Sequence, residues 1–179
     1  KTNYQLFLPI RKKKLKNTNR LKYFQCDLEK PIKLNKKIDT IVHCASKDRH
    51  VQTDKKKVYK ANILMTKNII KFAKKKKISK IFFMSTMMIY KNLKRKKHMI
   101  TENDQFNLDF YAKSKLQSEK LFCSNKNFFK ALCLRLPGVL TISTQKGPIL
   151  KKITFSLIKN ESLELFNIKK KFNNLTDSY

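Results

Sequence analysis

The sequence predicts an α/β protein built on a doubly wound parallel sheet, and three observations support this class. Short apolar runs alternate along the chain with amphipathic helical segments, which is typical of parallel βαβ units. The run Ile38–Cys44 is almost continuously apolar, as expected for a strand buried on both faces of a sheet. Turn residues such as Pro137 and Gly138 end the strand-like runs. Because neither an internal repeat nor a linker divides the 179 residues, we expect one domain over residues 1–179.

The predicted elements follow one another in the order expected of such a sheet. Strands are predicted at five ranges: Tyr4–Pro9, Leu21–Cys26, Ile38–Cys44, Ile78–Ser85 and Phe129–Leu136. Apolar residues recur at helical spacing in two segments, Thr53–Lys76 and Asp109–Cys123, which we predict to be helices. The remaining predictions are a loop at Lys91–Asp104, a helix at Pro148–Lys159 and a short strand at Ser162–Phe166. We expect Phe82, Phe83 and Phe110 to belong to the core rather than to a stacking platform.

The chain is strongly basic, with 43 Lys+Arg against 12 Asp+Glu and a formal net charge of +31. Such a balance first suggests a protein that binds nucleic acid. The lysines, however, are spread through every segment, and the abundant residues Lys, Asn, Ile and Phe share A/T-rich codons. A nucleotide bias of the genome therefore accounts for the charge, which forms a solvated basic surface, and we expect no nucleic-acid partner. Polyanion binding stays open as an alternative, and it predicts one basic face and a steep dependence of affinity on salt.

The cysteines and the hydropathy of the sequence indicate in which cellular compartment the protein is expected. Cys26, Cys44, Cys123 and Cys133 form no Cys-x-x-Cys pair and have no histidine at ligand spacing. We therefore expect no metal site and no disulfide framework, as in a reducing cytoplasm. No apolar run approaches the roughly 18 residues needed to span a bilayer, and residues 1–10 lack the features of a signal peptide. We expect a cytoplasmic location without a membrane partner.

Tyr111 and Lys115 form a Tyr-x-x-x-Lys pattern near the start of the second predicted helix. Their i, i+4 spacing places both side chains on one helix face, one turn apart. A nearby ammonium stabilises a phenolate and lowers a tyrosine pKa from its usual value of about 10. Such a tyrosine can exchange a proton with a substrate hydroxyl or carbonyl. Alone the pattern is expected by chance in a lysine-rich chain, so its weight depends on the residues that accompany it.

Informative residues cluster at the carboxyl ends of the predicted strands, where doubly wound sheets bind their ligands. The following pairs close successive strands: Asp27-Leu28, Ala45-Ser46, Ser85-Thr86 and Pro137-Gly138. Because parallel strands bring these ends to one edge of the sheet, weak individual signals can be combined.

The chain resembles the extended short-chain dehydrogenases/reductases, which form the NAD-dependent epimerase/dehydratase family, from about Tyr4 to its C-terminus. Six motifs in family order carry the resemblance: Asp27-Leu28, Val42–Ser46 (VHCAS), Asn62–Ile70 (NILMTKNII), Met84–Tyr90 (MSTMMIY), Tyr111–Glu119 (YAKSKLQSE) and Leu134–Val139 (LRLPGV). The resemblance implies a Rossmann-like fold, an NAD or NADP cofactor and hydride transfer on a nucleotide sugar. It also implies a homodimer, since family members often pair through a four-helix bundle that includes the helix carrying Tyr111.

The resemblance also implies roles for particular residues. Tyr111 is expected to be the catalytic acid/base, Lys115 to lower its pKa and hold the nicotinamide ribose, and Thr86 with Ser85 to hydrogen-bond the reacting oxygen. The residues implied to line the cofactor are Asp27, Leu28, Cys44, Ala45, Ser46, Asn62, Lys115 and Pro137. Arg11 and Lys12 are placed to hold the 2′-phosphate of NADP, whereas NAD-specific relatives carry an acid near this point. The choice between NAD and NADP therefore stays open, and His43 is expected to be structural.

The chain also departs from the family pattern. Its only glycines are Gly138 and Gly147, so it lacks the Gly-x-x-Gly-x-x-Gly turn that brings backbone to the pyrophosphate. We expect the first strand, this turn and the first helix to lie upstream of Lys1, since the first predicted strand corresponds to the fold's second. We also expect the chain alone to bind dinucleotide poorly or not at all. Residues 138–179 are expected to begin a small substrate-binding region.

Three function classes stay open after these departures. Met87 and Met88 stand where sugar 4,6-dehydratases carry an Asp-Glu pair, which leaves an epimerase or a reductase of nucleotide sugars as the main prediction. Its sugar pocket is expected to be shaped by the loop Tyr90–Asp104 and the segment after Gly138. The alternatives are a reductase of a non-sugar carbonyl, and a non-catalytic polyanion-binding or relic Rossmann fragment.

Overall fold

The computed structural model describes residues 4–11, 15–47, 54–90, 108–136, 138–140 and 175–177. Several predictions fall outside the described residues: the loop at 91–104, the helix at 148–159, the strand at 162–166, and the positions of Lys12 and Pro137.

The described elements are β1 (Leu6–Ile10), β2 (Leu21–Gln25), β3 (Thr40–His43), α1 (Lys55–Lys75), β4 (Lys80–Thr86), a 3₁₀ helix (Met87–Tyr90), α2 (Phe110–Cys123), β5 (Lys130–Leu136), β6 (Gly138–Leu140) and β7 (Leu175–Asp177). The five predicted strands and the two long helices are confirmed, with bounds shifted by one or two residues. The 3₁₀ helix, β6 and β7 were not predicted.

All described strand pairs are parallel, which confirms the α/β class, but they form separate sheets rather than one. β1 pairs with β2, β3–β4–β5 form a three-stranded sheet, and β6 pairs with β7. In the doubly wound order, the fold's first strand lies between its second and its fourth. The motif order of the sequence assigns β1 and β3 to these two positions, and this assignment stays a prediction. Because no described strand lies between them, each keeps one unpaired edge.

The main core lies between α1, α2 and the β3–β4–β5 sheet. Its buried members are apolar residues of both helices, of β4 and of the residues just before β4 and β5: Ile69, Ile70, Phe72, Ala73, Ile78, Ile81, Phe83, Phe122 and Phe129. The prediction for Phe83 is confirmed, whereas Phe82 is half-buried and the prediction for Phe110 is wrong. Phe110 is 38% exposed: it is the first residue of α2, and it belongs to neither of the buried apolar clusters.

Local sequence explains where α1 begins and ends. Asp54 caps its first turn, since the Asp54 carboxylate accepts hydrogen bonds from the backbone N–H groups of Lys56 and Lys57. The helix ends at Lys75, Lys76 is its C-cap, and Lys77 then takes the left-handed conformation (φ 53°) usually given to glycine at this position. The N–H of Ile78 then bonds the Ala73 carbonyl at 2.9 Å, and the chain enters β4.

His43, the last residue of β3, packs among aromatic rings of the core. Its ring centroid lies 5.3 Å from that of Phe83 and 6.3 Å from that of Phe122, and the residue is only 3% exposed. Burial, with a smaller contribution from the Lys115 ammonium, lowers the pKa of His43 to about 3. The imidazole is therefore neutral at neutral pH, which supports a structural role.

We predict that His43 makes the fold sensitive to acid. Its pKa is about 3 in the folded state and about 6.5 in an unfolded chain. Between these values the unfolded state binds more protons, so stability is lost as the pH falls from about 6.5 toward 3. Thermal unfolding at about pH 7 and about pH 5 measures this loss, and His43→Phe is expected to lose less stability than the wild type. Equal losses in the two proteins would contradict the prediction.

Candidate active site

Helix α2 places Lys115 against the carboxyl end of β4. The Lys115 ammonium donates a hydrogen bond to the Met84 carbonyl at 2.8 Å and lies 4.8 Å from the centre of the Phe83 ring. Lys115 is 3% exposed, and burial lowers its pKa to about 8, while the nearby Cys44 and Glu119 act in the opposite direction. At neutral pH the side chain is therefore mostly a buried cation.

Tyr111 lies one helical turn before Lys115, as its spacing predicted. Its ring centre is 5.7 Å from the Lys115 ammonium nitrogen, and the residue is half-buried. The helix begins just before it, at Phe110, and is capped by Asp109, whose carboxylate accepts a 2.8 Å hydrogen bond from the N–H of Ala112. This cap fixes the first turn of α2, so that Tyr111 is held beside a cation and at the boundary with solvent.

The hydroxyls of Ser85 and Thr86, the last two residues of β4, have different partners. Thr86 Oγ1 accepts a 3.2 Å hydrogen bond from the N–H of Met88, which lies in the 3₁₀ helix. The same 3₁₀ helix packs on α2 through Ile89, which is fully buried. Ser85 instead donates to the Glu119 carboxylate of α2. Both hydroxyls are buried at the edge of the sheet that also holds Lys115, but Ser85 is already committed to a protein partner.

A cluster of charges joins the ends of β1, β2 and β3. The Arg11 guanidinium lies 2.9 Å from Asp27 and 2.7 Å from Glu29, and Lys47 lies 2.8 Å from Glu29. The pKa of Asp27 is lowered, first by the backbone N–H of Glu29 and then by Arg11. Hydrogen bonding to Lys47 and then Arg11 lowers the pKa of Glu29. The structure thus brings the predicted residues Arg11 and Asp27 together.

Hydrogen bonds of the Leu28 carbonyl and of the Asn62 side chain connect the segments at this edge of the sheet. The Leu28 carbonyl accepts a 2.9 Å hydrogen bond from the Asn68 amide. The Asn62 amide oxygen accepts hydrogen bonds from the N–H of Lys47 at 2.8 Å and from the Ser46 hydroxyl at 3.4 Å. Its amide nitrogen donates to the Ser114 hydroxyl at 2.9 Å. Asn62 therefore links the turn after β3 to α2, whereas Cys44 and Ala45 are exposed on that turn.

Several residues of this region were not predicted. Glu29 and Lys47 complete the charge cluster, and Ser114, Ser118 and Thr66 form buried contacts between the two helices, with the Thr66 hydroxyl 2.8 Å from that of Ser118. The signal for the helix contacts was small polar residues at helical spacing on otherwise apolar faces. Glu119 and Arg135 were noted within motifs, but their pairing was not foreseen.

Within the part of the chain that the structure describes, no helix has the length and apolar character needed to cross a membrane. The same residues contain no group of three or more His, Cys, Asp or Glu that could hold a metal ion.

Comparison with known proteins identifies similarities in sequence and in fold. The sequence profile of the NAD dependent epimerase/dehydratase family matches residues 1–168. Among curated proteins, none matches the chain in sequence.

Solved structures similar to this chain confirm the Rossmann-like fold. UDP-glucose 4-epimerase from Thermotoga maritima superposes with a TM-score of 0.79 at 13% identity, over 98% of this chain and 62% of that chain. MoeE5, solved with UDP-glucuronic acid and NAD, gives 0.78 at 17% identity, over 97% and 60%. L-threonine dehydrogenase from Phytophthora infestans gives 0.64 at 20% identity, over 78% and 48%. The chain spans about half the length of several such structures.

Proposed function

Because this chain belongs to the NAD-dependent epimerase/dehydratase family, as its motifs predicted, we propose that it supplies the acid/base part of a nucleotide-sugar epimerase or reductase. The observation that carries this proposal is the buried Lys115 ammonium, 5.7 Å from the Tyr111 ring centre at the carboxyl edge of the sheet. Ligands of doubly wound sheets bind at this edge. Thr86, the last residue of β4, places its hydroxyl at the same edge.

Each of the three side chains has a distinct part in the proposed reaction. Tyr111 takes the proton from a sugar hydroxyl when that carbon is oxidised, and returns it when the carbonyl is reduced. Lys115 stabilises the phenolate form of Tyr111 by its charge. The Thr86 hydroxyl donates a hydrogen bond to the reacting oxygen and holds it within reach of Tyr111. The nicotinamide, when bound, supplies and accepts the hydride.

The residues present fit the nicotinamide and ribose part of the cofactor. An ammonium has three donors, and the Met84 carbonyl takes one of those on Lys115, which leaves donors for ribose hydroxyls. Cys44 and Ala45 are exposed, so the turn after β3 can lie along a ligand. We assign Asp27, Leu28 and Ser46 to the adenosine part of the cofactor. Asn62 holds Ser46 in place by accepting a hydrogen bond from its hydroxyl. Pro137 lies outside the described residues, and its assignment to the cofactor stays a prediction.

The charge cluster favours NAD over NADP in this proposal. Arg11, the residue placed to meet a 2′-phosphate, is held by the carboxylates of Asp27 and Glu29. A phosphate there must compete with two negative charges for one guanidinium.

We predict that a chain completed with a glycine-turn segment binds NAD at least about ten-fold tighter than NADP, equivalent to about 1.4 kcal/mol. Calorimetric titration of Glu29→Gln, which removes one competing charge, is expected to show a smaller preference. Lys47→Met serves as a control, because it removes a charge from the same cluster but leaves both competing carboxylates. Tighter binding of NADP by the wild type would contradict the preference.

Product analysis distinguishes the nucleotide-sugar reactions from the alternative. In the completed chain with a UDP-sugar, an epimerase forms the stereoisomer without a net change in reduced nicotinamide, whereas a reductase consumes it. We expect one of these two outcomes. If UDP-sugars are unchanged while a non-sugar carbonyl or hydroxyl compound is turned over, the nucleotide-sugar proposal fails. The fold likeness to a threonine dehydrogenase makes this comparison informative.

The surface charge does not favour the polyanion-binding alternative. Exposed lysines occur along the whole of α1, from Lys55–Lys57 at its start to Lys74 and Lys75 at its end, and also on α2 at Lys113 and Lys120. Exposed lysines also stand at Lys80 and Lys130, the first residues of β4 and β5, so the basic charge is not confined to the two helices. The homodimer also stays a proposal, supported by the apolar Leu64 and Phe110, which the helices expose.

A further inference from the structure

We propose that Glu119 and Arg135 are a positioning pair. The pair fixes how closely α2 packs against β4 and thereby the position of Lys115. It also occupies the Ser85 hydroxyl, which is then not available to bind a substrate. This proposal rests on the proposed function in one respect only, namely that Lys115 takes part in the reaction at the carboxyl edge of the sheet.

The pair is a bidentate ion pair in the interior. Arg135 donates from Nε to Glu119 Oε1 at 3.0 Å and from Nη2 to Glu119 Oε2 at 2.7 Å. The two side chains are 12% and 8% exposed. A buried pair of this kind requires good geometry, since removal of one partner leaves an uncompensated charge in the core. Hydrogen bonding to Glu119 is also the main reason that the pKa of Arg135 is raised.

Two further contacts extend the pair to the elements around the site. Arg135 also donates to the Tyr90 hydroxyl, with its guanidinium carbon 4.9 Å from the centre of the Tyr90 ring. Glu119 accepts the hydrogen bond of Ser85, which is the register partner of Arg135 on the neighbouring strand. Four elements therefore meet at one ion pair: α2, β5, the end of β4 and the 3₁₀ helix that follows it.

One face of α2 forms hydrogen bonds with two consecutive residues of β4, Met84 and Ser85. Lys115 bonds the Met84 carbonyl, and Glu119, one turn later on the helix, holds the Ser85 hydroxyl. Two contacts one turn apart prevent α2 from sliding or rolling on the strand. Because Tyr111 lies one turn before Lys115, the position of the whole catalytic face follows from these contacts.

Glu119 also acts on Lys115 by its charge. Its carboxylate favours the ammonium form of Lys115, against the effect of burial. The two β4 hydroxyls then have different tasks. Ser85 orients Glu119, whereas Thr86, bonded through its oxygen to the N–H of Met88, keeps a hydroxyl proton to donate to a substrate. A purely structural ion pair would stabilise the fold without affecting Lys115, and this difference can be measured.

The test uses the whole chain, without cofactor or substrate, labelled at lysine ε-carbons for NMR titration. The Lys115 signal is assigned by its loss in Lys115→Arg. We expect Glu119→Gln to lower the pKa of Lys115 below its wild-type value of about 8, because the carboxylate that favours the ammonium form is lost. Thr66→Val is the matched control, because it removes a buried contact between α1 and α2 without touching the pair, and it is expected to leave this pKa unchanged. If Glu119→Gln moves the pKa no more than Thr66→Val does, the proposal is overturned.

A second variant keeps the test decisive if Glu119→Gln does not fold. Arg135→Lys preserves both charges but loses the two-point contact and the bond to Tyr90. We expect it to weaken the nuclear Overhauser effect between the Lys115 ε-methylene and the Phe83 ring, which are close in the wild type. An unchanged effect in Arg135→Lys would overturn the positioning role. The lower Lys115 pKa in Glu119→Gln and the weaker Overhauser effect in Arg135→Lys would support the positioning pair even if the completed chain does not act on nucleotide sugars. In that case only the proposed function would be wrong.

Discussion

Replacement of Tyr111 by phenylalanine is expected to reduce turnover of a nucleotide sugar about 10²- to 10⁴-fold, the usual contribution of a positioned acid or base. The change removes only the hydroxyl, so the ring keeps its place 5.7 Å from the Lys115 ammonium. Cofactor affinity is expected to change little, because the effect falls on the proton transfer. The measurement is kcat at saturating cofactor, in a chain completed ahead of Lys1 by a strand, a glycine-rich turn and a helix.

The matched control for this prediction is Tyr23→Phe, which removes a hydroxyl from β2, outside α2 and β4. It should retain the wild-type kcat and the same thermal unfolding. Equal turnover by the wild type and Tyr111→Phe would show that Tyr111 does not move the proton.

The second large effect concerns dinucleotide binding. The chain alone is expected to bind NAD at least about 100-fold more weakly than the completed chain, a difference of about 2.7 kcal/mol. The reason is that pyrophosphate is bound by backbone N–H groups at a helix N-terminus, which require glycines for close approach. The chain has only Gly138 and Gly147, both after β5. The added strand can also pair with the open edges of β1 and β3.

Titration calorimetry on the two proteins measures this difference. A completed chain in which valines replace the added glycines is the control, since it restores the strand pairing but blocks backbone approach to the pyrophosphate. It is expected to bind as weakly as the chain alone. Equal NAD affinities of the chain alone and of the completed chain would show that the glycine turn is not needed for dinucleotide binding.

Local patterns predicted the elements and the edge at which the site forms. A strand such as Ile38–Cys44 is visible as an apolar run, and parallel strands necessarily bring their carboxyl ends to one edge. The Tyr111–Lys115 relation follows from helix geometry alone. These features depend on residues close in sequence, so a single chain contains the information.

Contacts between distant segments were not predictable in the same way. Asn62 and Ser114 are 52 positions apart, and Arg135 reaches Tyr90 across 45 positions. Nothing local in the sequence shows that Ser85 would donate to Glu119 instead of facing a substrate. Phe110 was assigned to the core from its apolar character, yet it is exposed, because helix position and not residue type decides burial there. The division of the described strands into separate sheets was likewise not visible in the local sequence.

The charge of Lys115 is proposed to activate Tyr111, and the ionisation of the Tyr111 phenol is the most direct test of this role. Carbon-13 labelling of tyrosine rings allows each phenol to be titrated by NMR, with Tyr111 assigned by its loss in Tyr111→Phe. We expect Tyr111 to ionise at a lower pH in the wild type than in Lys115→Met, which removes the cation but keeps most of the buried side-chain volume. The same titration curve for Tyr111 in both proteins would show that the Lys115 charge does not activate Tyr111.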